Sequence, residues 1–129
     1  MTHSPDKPDY EIRFEDREGY LYAYVSGEED SLAVSLDYWE RVITECEKRV
    51  VRALLLEEDF PNQSSAIDMY TVTRAIASMA PGSLRIAFID RESDHAELNA
   101  FGETVAVNRG LHGRIFRDVA DAEAWLRTY

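Results

Sequence analysis

The sequence predicts a single α/β domain with a mixed five-stranded sheet and four helices, in the order ββαβαβαβα. The first observation is the segment 50–56, VVRALLL, in which five of seven residues are Val or Leu. Such a run is typical of a strand covered by helices on both faces, and we expect it to be the central strand. The second is that helical and strand-like patterns alternate after it, as in parallel sheets with crossover helices. The third is the length of 129 residues, which suits one hydrophobic core.

A hairpin is predicted ahead of the alternating units. In residues 10–15 apolar and charged side chains alternate, which indicates a strand with one solvated face. Residues 16–19 have turn composition, and residues 20–25 predict the second, antiparallel strand. Its three tyrosines share one face and would offer a homodimer surface if no helix covers them: Tyr20, Tyr22 and Tyr24.

The first helix is predicted from an apolar stripe at steps of four and three residues. Its members are Leu32, Leu36, Trp39, Ile43 and Cys46. Acids at 28–30 precede it and basic residues at 48–49 end it, in agreement with the helix dipole. The chain then enters the central strand directly.

The central strand is followed by three acids at 57–59, a turn at 60–62 and a second helix. Ser65 is the expected N-cap, with Asp68 three residues later. The inward face of this helix is predicted to carry Met69, Val72, Ile76 and Met79.

Two further strand–helix units complete the prediction. Residues 84–89 predict a buried strand, and the helix after it is expected to turn Leu98, Phe101 and Val105 inward. A stop at 108–110 precedes a short strand at 112–117. The last helix carries Val119, Ala122, Trp125 and Leu126 on its apolar face.

Composition and charge exclude several classes of protein. The formal charge of −11 repels phosphate backbones, so a nucleic-acid partner is not expected. Cys46 is the only cysteine, which excludes an internal disulfide and fits a reducing, cytoplasmic compartment. Residues 1–9, with two prolines, predict a flexible arm ahead of a domain at 10–129 and contain no signal-like apolar run. No segment is long and apolar enough for a membrane span.

Three segments resemble the SpoIIAA-like family, whose members have the STAS fold of bacterial anti-sigma-factor antagonists and are also described as similar to CRAL-TRIO lipid-binding domains. They are LLLEEDF at 54–60, RIAFID at 85–90 and RIFRDVADAEAWL at 114–126. The resemblance covers residues 10–129 and implies a STAS-like sandwich. In the antagonists a serine at the start of the helix after the central strand is phosphorylated by a partner kinase, within a motif like Asp-Ser-Ser-Gly. The matching residues here are Gln63-Ser64-Ser65-Ala66, without the flanking Asp and Gly.

Ser64 and Ser65 are therefore candidates for a phosphorylation switch. A helix N-terminus offers free amides and a positive dipole end that stabilise an added phosphate. The alternative is plain helix capping, and the three acids at 57–59 would repel a phosphate.

Acidic side chains are predicted to gather at the carboxyl edge of the sheet, where open α/β sheets usually bind ligands. They are Glu57, Glu58, Asp59, Asp90, Glu92 and Asp118. Paired carboxylates at such an edge can bind a divalent cation or act as acid and base, but acids also favour helix N-termini for dipole reasons alone.

Basic side chains are predicted at the opposite edge. Arg109, His112 and Arg114, in a segment at 108–114 that contains two glycines, form a candidate docking site for an anion or an acidic partner. The alternative is C-capping and solubility.

The remaining residues with reactive or metal-binding side chains do not form a pattern typical of a cofactor or metal site. Histidines at 3, 95 and 112 are scattered, there is no glycine-rich phosphate loop, and Cys46 lies on an apolar stripe. We expect no catalytic residue, cofactor or metal. An apolar pocket under the helices would be lined by Trp39, Met69, Tyr70 and Met79.

Two functions are open at this point. The first is a non-enzymatic regulatory or protein-interaction domain with a protein partner or a second copy of the chain. The alternative is a carrier of a small apolar or lipid-like ligand in a pocket between helices and sheet. An enzyme is the weakest hypothesis, because the carboxyl edge offers carboxylates and serines without a paired histidine.

Overall fold

The fold is organised around a five-stranded sheet whose middle strand is the predicted apolar run. A computed structural model describes residues 9–63 and 65–128. The strands are β1 (Glu11–Arg17), β2 (Tyr20–Ser26), β3 (Glu29–Asp30), β4 (Ala53–Asp59), β5 (Asn62–Gln63), β6 (Arg85–Asp90) and β7 (His112–Phe116). The helices are α1 (Leu32–Arg49), α2 (Ala66–Met79), α3 (Ala96–Asn108) and α4 (Val119–Leu126), with a 3₁₀ turn at Ser93–His95.

The order of the large sheet is β1-β2-β4-β6-β7, so β4 is its centre. β1 and β2 are antiparallel, whereas β2, β4, β6 and β7 are parallel neighbours. The predicted mixed five-stranded sheet, the order of its elements and the central strand are confirmed. The predicted arm lies outside the described residues, apart from Asp9.

Helices cover both faces of the sheet unequally. Leu54 and Leu56 of β4 face a large apolar cluster with α1 and α2, and α3 packs against α2 and β7 on that side. Leu55 faces the opposite side, where α4 supplies Ala122 and Leu126. β4 is therefore buried from both faces, as its uninterrupted apolar pattern predicts.

Helix α4 covers the tyrosine face that was considered as a homodimer surface. Tyr20 and Tyr22 are buried in the cluster beneath α4, and Tyr24 packs against that cluster. The tyrosine face of the hairpin is thus covered by the chain itself, so the condition for a homodimer surface there is not met.

Two short strands were not predicted from the sequence. β3 and β5 pair in parallel, Glu29 opposite Asn62 and Asp30 opposite Gln63. The acids at 28–30 therefore do not enter helix α1, whose N-cap is Ser31. This small sheet holds Asp30 in the interior, where it is buried.

Two inward faces differ from their prediction. On α1 the fully buried side chains include Tyr38 and Val42, while Leu32 and Leu36 are half-buried. On α3 the buried residues are Asn99, Gly102, Val105 and Ala106. Phe101 is 41% exposed, so its predicted inward orientation is wrong.

Cys46 is buried as expected from its place on the α1 stripe. Burial raises the pKa of its thiol to about 12, with a further contribution from the nearby Glu45 carboxylate. A thiol with this pKa holds almost no thiolate at neutral pH, so Cys46 is a packing residue.

The central strand begins later than the apolar run. Val50 is the C-cap of α1 in the left-handed conformation, with φ 56°, and is 84% exposed. Its amide donates to the last turn of the helix. The strand starts only at Ala53, because the first residues of the run are used to stop the helix and turn the chain.

This cap gives a stability prediction. Val50→Gly should raise the free energy of unfolding by about 0.5–1 kcal/mol, since a β-branched residue is strained at positive φ and the exposed side chain contributes no packing. Chemical denaturation measures the change. The matched control is Val107→Gly, another exposed valine but inside α3, where glycine should not stabilise. A loss of stability in Val50→Gly would contradict the assigned cap.

Candidate functional site

The carboxyl end of β4 delivers its three acids to opposite faces of the sheet. Side chains alternate along a strand, so Glu58 points to the side of α1 and α2, and Glu57 and Asp59 point to the side of α4. The predicted group of carboxyl-edge acids is thus divided into two separate networks. Asp90 ends β6 directly opposite Glu58 and joins it.

The interior network is a buried acidic cluster, which we define as Asp30, Glu58, Asp90 and His95. Glu58 is only 2% exposed, and its Oε2 accepts a hydrogen bond from the Tyr38 hydroxyl. Asp30 accepts one from Ser35. Glu58, Asp90 and His95 each offer one possible ligand atom, and these three atoms lie within 4.8 Å of one another.

Asp90 and His95 form the outer half of the cluster. Asp90 Oδ2 lies 2.9 Å from His95 Nδ1 and accepts from Asn99 Nδ2, also at 2.9 Å. Asp90 Oδ1 accepts from the backbone amide of Glu92 at 2.9 Å. Gln63 Nε2 in turn donates to Asn99 Oδ1 at 3.1 Å, which links the cluster to β5.

Burial and mutual repulsion set the charges in this cluster. Desolvation raises the pKa of Glu58 well above its usual value, and the adjacent Asp30 carboxylate raises it further. The pKa of Asp30 is also raised, chiefly by burial. Carboxyls placed together away from water favour a shared proton or a bound cation.

The acids on the α4 side form a different network with tyrosines and an arginine. Glu57 and Asp59 accept hydrogen bonds from the hydroxyls of Tyr22 and Tyr24. Arg91 Nε contacts Glu57 Oε2 at 2.6 Å, and its Nη1 lies 3.7 Å from Asp59 Oδ2. These carboxylates have partners, and the arrangement links the hairpin to β4 and β6.

A cavity of about 100 Å³ lies between the sheet and helices α1, α2 and α3. Trp39 and Met69 line it as predicted, but Tyr70 and Met79 are not among the lining residues. One end is polar, with Asp30 and Glu58 in its wall. Pockets for drug-sized ligands span about 300–1,000 Å³, so a lipid-like ligand does not fit this volume.

Ser65 is the N-cap of α2, as predicted. Its hydroxyl accepts from the backbone amide of Asp68 at 3.2 Å, and the side chain is exposed. Ser64, the other phosphorylation candidate, lies outside the described residues. The two serines remain candidates, with a capping role for Ser65 now visible.

The predicted basic edge is dispersed. Arg109 reaches across to α2, where its Nη2 donates to the Tyr70 hydroxyl at 2.7 Å. Arg114 instead covers the ring of Phe116, 5.5 Å from its centroid, and Phe116 packs against Trp125 of α4. His112 is exposed at the start of β7. Arg109 and Arg114 therefore serve opposite sides of the sheet, which does not favour one anion site.

Exposed apolar side chains on α2 and α3 were not predicted. Ile67 is 77% exposed, Phe101 41% and Tyr70 37%. The two helices approach closely, because a Cβ on Gly102 would lie 2.8 Å from Met69 Sδ. We call Ile67, Tyr70 and Phe101 the α2–α3 face.

The fold defined by these elements is that of an anti-sigma factor antagonist. The likeness is to the crystal structure of an anti-sigma factor antagonist from Mycobacterium paratuberculosis, with a TM-score of 0.64 and 17% sequence identity. The alignment covers 98% of this chain and 99% of that chain. It confirms the predicted STAS-like fold over essentially the whole domain. No family model and no curated protein sequence matches the chain.

No helix among the described residues is both long and apolar enough to cross a membrane. A cytoplasmic location stays a prediction from the single cysteine.

Proposed function

We propose that this chain is a non-enzymatic regulatory domain that binds a protein partner through the α2–α3 face. The observation that carries the proposal is the exposure of Ile67, Tyr70 and Phe101 on two adjacent helices. Large apolar side chains grouped on a monomer surface commonly mark an interaction site. The fold shared with an anti-sigma factor antagonist supports a regulatory role of the same broad kind.

The chemistry of the face suggests the chemistry of the partner. Glu97 is exposed and lies one helical turn before Phe101, and Asp68 follows Ile67 directly. Arg74 and Arg109 both approach the ring of Tyr70, with their guanidinium carbons 5.8 and 5.6 Å from its centroid. We infer a partner with an apolar contact surface and basic side chains placed to meet the acids at the N-terminal end.

Phosphorylation is the regulation we propose for this face. Ser65 is exposed at the N-terminus of α2, two residues before Ile67. A phosphate there would be stabilised by the helix amides and would add negative charge beside the contact residues. Its effect would be to change partner affinity without unfolding the domain.

The interior argues against the two other functions. The cavity of about 100 Å³ is too small for a lipid-like cargo. The buried carboxyls offer acid and base groups, but Glu58 is only 2% exposed and its carboxyl is hydrogen-bonded to Tyr38. The small cavity and the exposed apolar side chains on α2 and α3 support a regulatory domain over a carrier or an enzyme.

Affinity capture with matched variants tests the proposal. Immobilised wild-type domain is incubated with lysate of its native cell, beside the double variant Ile67→Asp/Phe101→Asp and the control Val107→Asp, which is exposed on α3 outside the face. We expect a partner retained by wild type and control and lost by the double variant. The purified partner should then bind the double variant at least about tenfold more weakly in calorimetry, because apolar anchors dominate such interfaces.

A partner that binds the double variant and wild type equally would refute the α2–α3 face. Circular dichroism and thermal melting of the variants show whether a loss of binding reflects a loss of folding. All three substituted positions are exposed, so we expect the variants to fold.

A further inference from the structure

The buried acidic cluster has an imbalance of charge that its protein partners do not remove. Asp30, Glu58 and Asp90 place three carboxyls in the interior. Among the described residues, His95 is the basic side chain that contacts one of them, Asp90. The nearby Arg91 lies on the other side of the sheet, against Glu57 and Asp59. Buried carboxylates without a cationic partner are unfavourable.

A second observation points to a missing positive ligand. Glu58 Oε1 is fully buried and accepts from no donor in the described part of the chain, although the other oxygen of the same carboxyl accepts from Tyr38, and the adjacent Asp30 carboxyl is close enough to share a proton with Glu58. Unsatisfied polar atoms are rare in native interiors. The same Glu58 side chain offers one carboxylate oxygen that lies within 4.8 Å of the Asp90 and His95 ligand atoms.

We propose that Glu58, Asp90 and His95 form a binding site for one divalent transition-metal ion of the Zn²⁺ type. The inference goes beyond the proposed function and does not depend on the α2–α3 face. The mixture of imidazole and carboxylate selects this class, because Ca²⁺ and Mg²⁺ prefer oxygen ligands alone.

The surroundings of the three residues suit a metal site. Asn99 and the Glu92 amide bond to Asp90 and fix its orientation, as groups around metal ligands commonly do. Asp30 stands beside Glu58, so its carboxyl is a further oxygen next to the site. The cavity reaches Glu58, which leaves room for a water molecule as a further ligand. His95 lies in the 3₁₀ turn at Ser93–His95, where it is 9% exposed.

Sequence analysis expected no metal site because the three histidines are far apart along the chain. Chain distance between the histidines does not show which acids lie beside His95 in the fold. His95 follows Asp90 by five residues, and the parallel pairing of β6 with β4 places Asp90 beside Glu58.

Calorimetric titration of chelator-treated, tag-free protein with Zn²⁺ tests the site. We expect one ion per chain with micromolar or tighter affinity, and at least about tenfold weaker binding in Glu58→Gln and in His95→Ala. The matched controls are Glu57→Gln, the neighbouring acid on the other face of β4, and His112→Ala, an exposed histidine. Both controls should bind as wild type does. Co²⁺ should give visible absorption bands in wild type and in the controls, and these bands should weaken in the two site variants.

Two results would overturn the proposal. One is the absence of micromolar Zn²⁺ binding, which means that protons alone neutralise the cluster. The other is binding that Glu58→Gln and His95→Ala leave unchanged, which places the ion on surface carboxylates. Thermal melting in chelator checks folding, and if Glu58→Gln does not fold, His95→Ala decides the test from its turn near the surface.

Discussion

Phe60→Ala should lower the free energy of unfolding by about 3–5 kcal/mol. Phe60 has no exposed surface and stacks on Tyr38, with ring centroids 6.1 Å apart. The packing around it is tight, since a Cβ on Gly27 would lie 2.8 Å from Phe60 Cε1. Alanine would leave a cavity between α1, β4 and the loop before β3, which these neighbours cannot close. Urea unfolding followed by circular dichroism measures the loss.

The control for this prediction is the same substitution at an exposed phenylalanine. Phe101→Ala, on the surface of α3, should cost less than about 1 kcal/mol. Similar losses in the two variants would contradict the placement of Phe60 in the core.

Leu55→Ala should lower the free energy of unfolding by about 2–5 kcal/mol. Leu55 has no exposed surface and contacts the cluster beneath α4, which includes Ala122 and Leu126. The large loss is expected only if α4 covers this face of the sheet, because a leucine on a solvated face would cost little. The experiment thus tests the two-sided burial of β4.

Ile67→Ala is the comparison for Leu55→Ala, since Ile67 is an aliphatic residue that is 77% exposed. It should change the free energy of unfolding by about 0.5 kcal/mol or less. A loss in Leu55→Ala as small as this would mean that α4 does not pack as described.

The architecture was predictable because its signals are local and regular. The run at 50–56 lacks alternation, the helices carry apolar stripes, and Ser65 precedes an apolar helix as a capping serine does. Each of these patterns depends on burial by neighbouring elements and therefore appears in the sequence itself. The resemblance to STAS domains rested on segments in β4, β6 and α4, which pack together in the apolar cluster beneath α4.

The candidate site was predictable only in part. That Glu58 and Asp90 share an edge follows from the parallel sheet, and Glu57 and Glu58 point to opposite faces because side chains alternate along a strand. Which of these faces lies under α1 and α2 depends on tertiary packing. A strand that is apolar on both faces shows no alternation, so its sequence does not indicate which residues face which layer of helices.

Contributions from distant parts of the chain were beyond sequence reasoning. Asp30 is held by the two-residue pairing of β3 with β5, which is too short to leave a pattern. Phe60 has the appearance of a turn residue beside a proline, yet it fills the core. The exposure of Phe101 follows from the close packing of α2 on α3 at Gly102, a tertiary feature without a periodic signal.

Amide hydrogen exchange of the domain, free and bound to the captured partner, tests the central claim most directly. The claim is that the partner binds the α2–α3 face. We predict slower exchange on binding in peptides that span residues 66–74 and 97–105, with unchanged exchange in the edge strand β1. Protection confined to β1, with α2 and α3 exchanging as in the free domain, would contradict the account, because the partner would then extend the sheet at its edge.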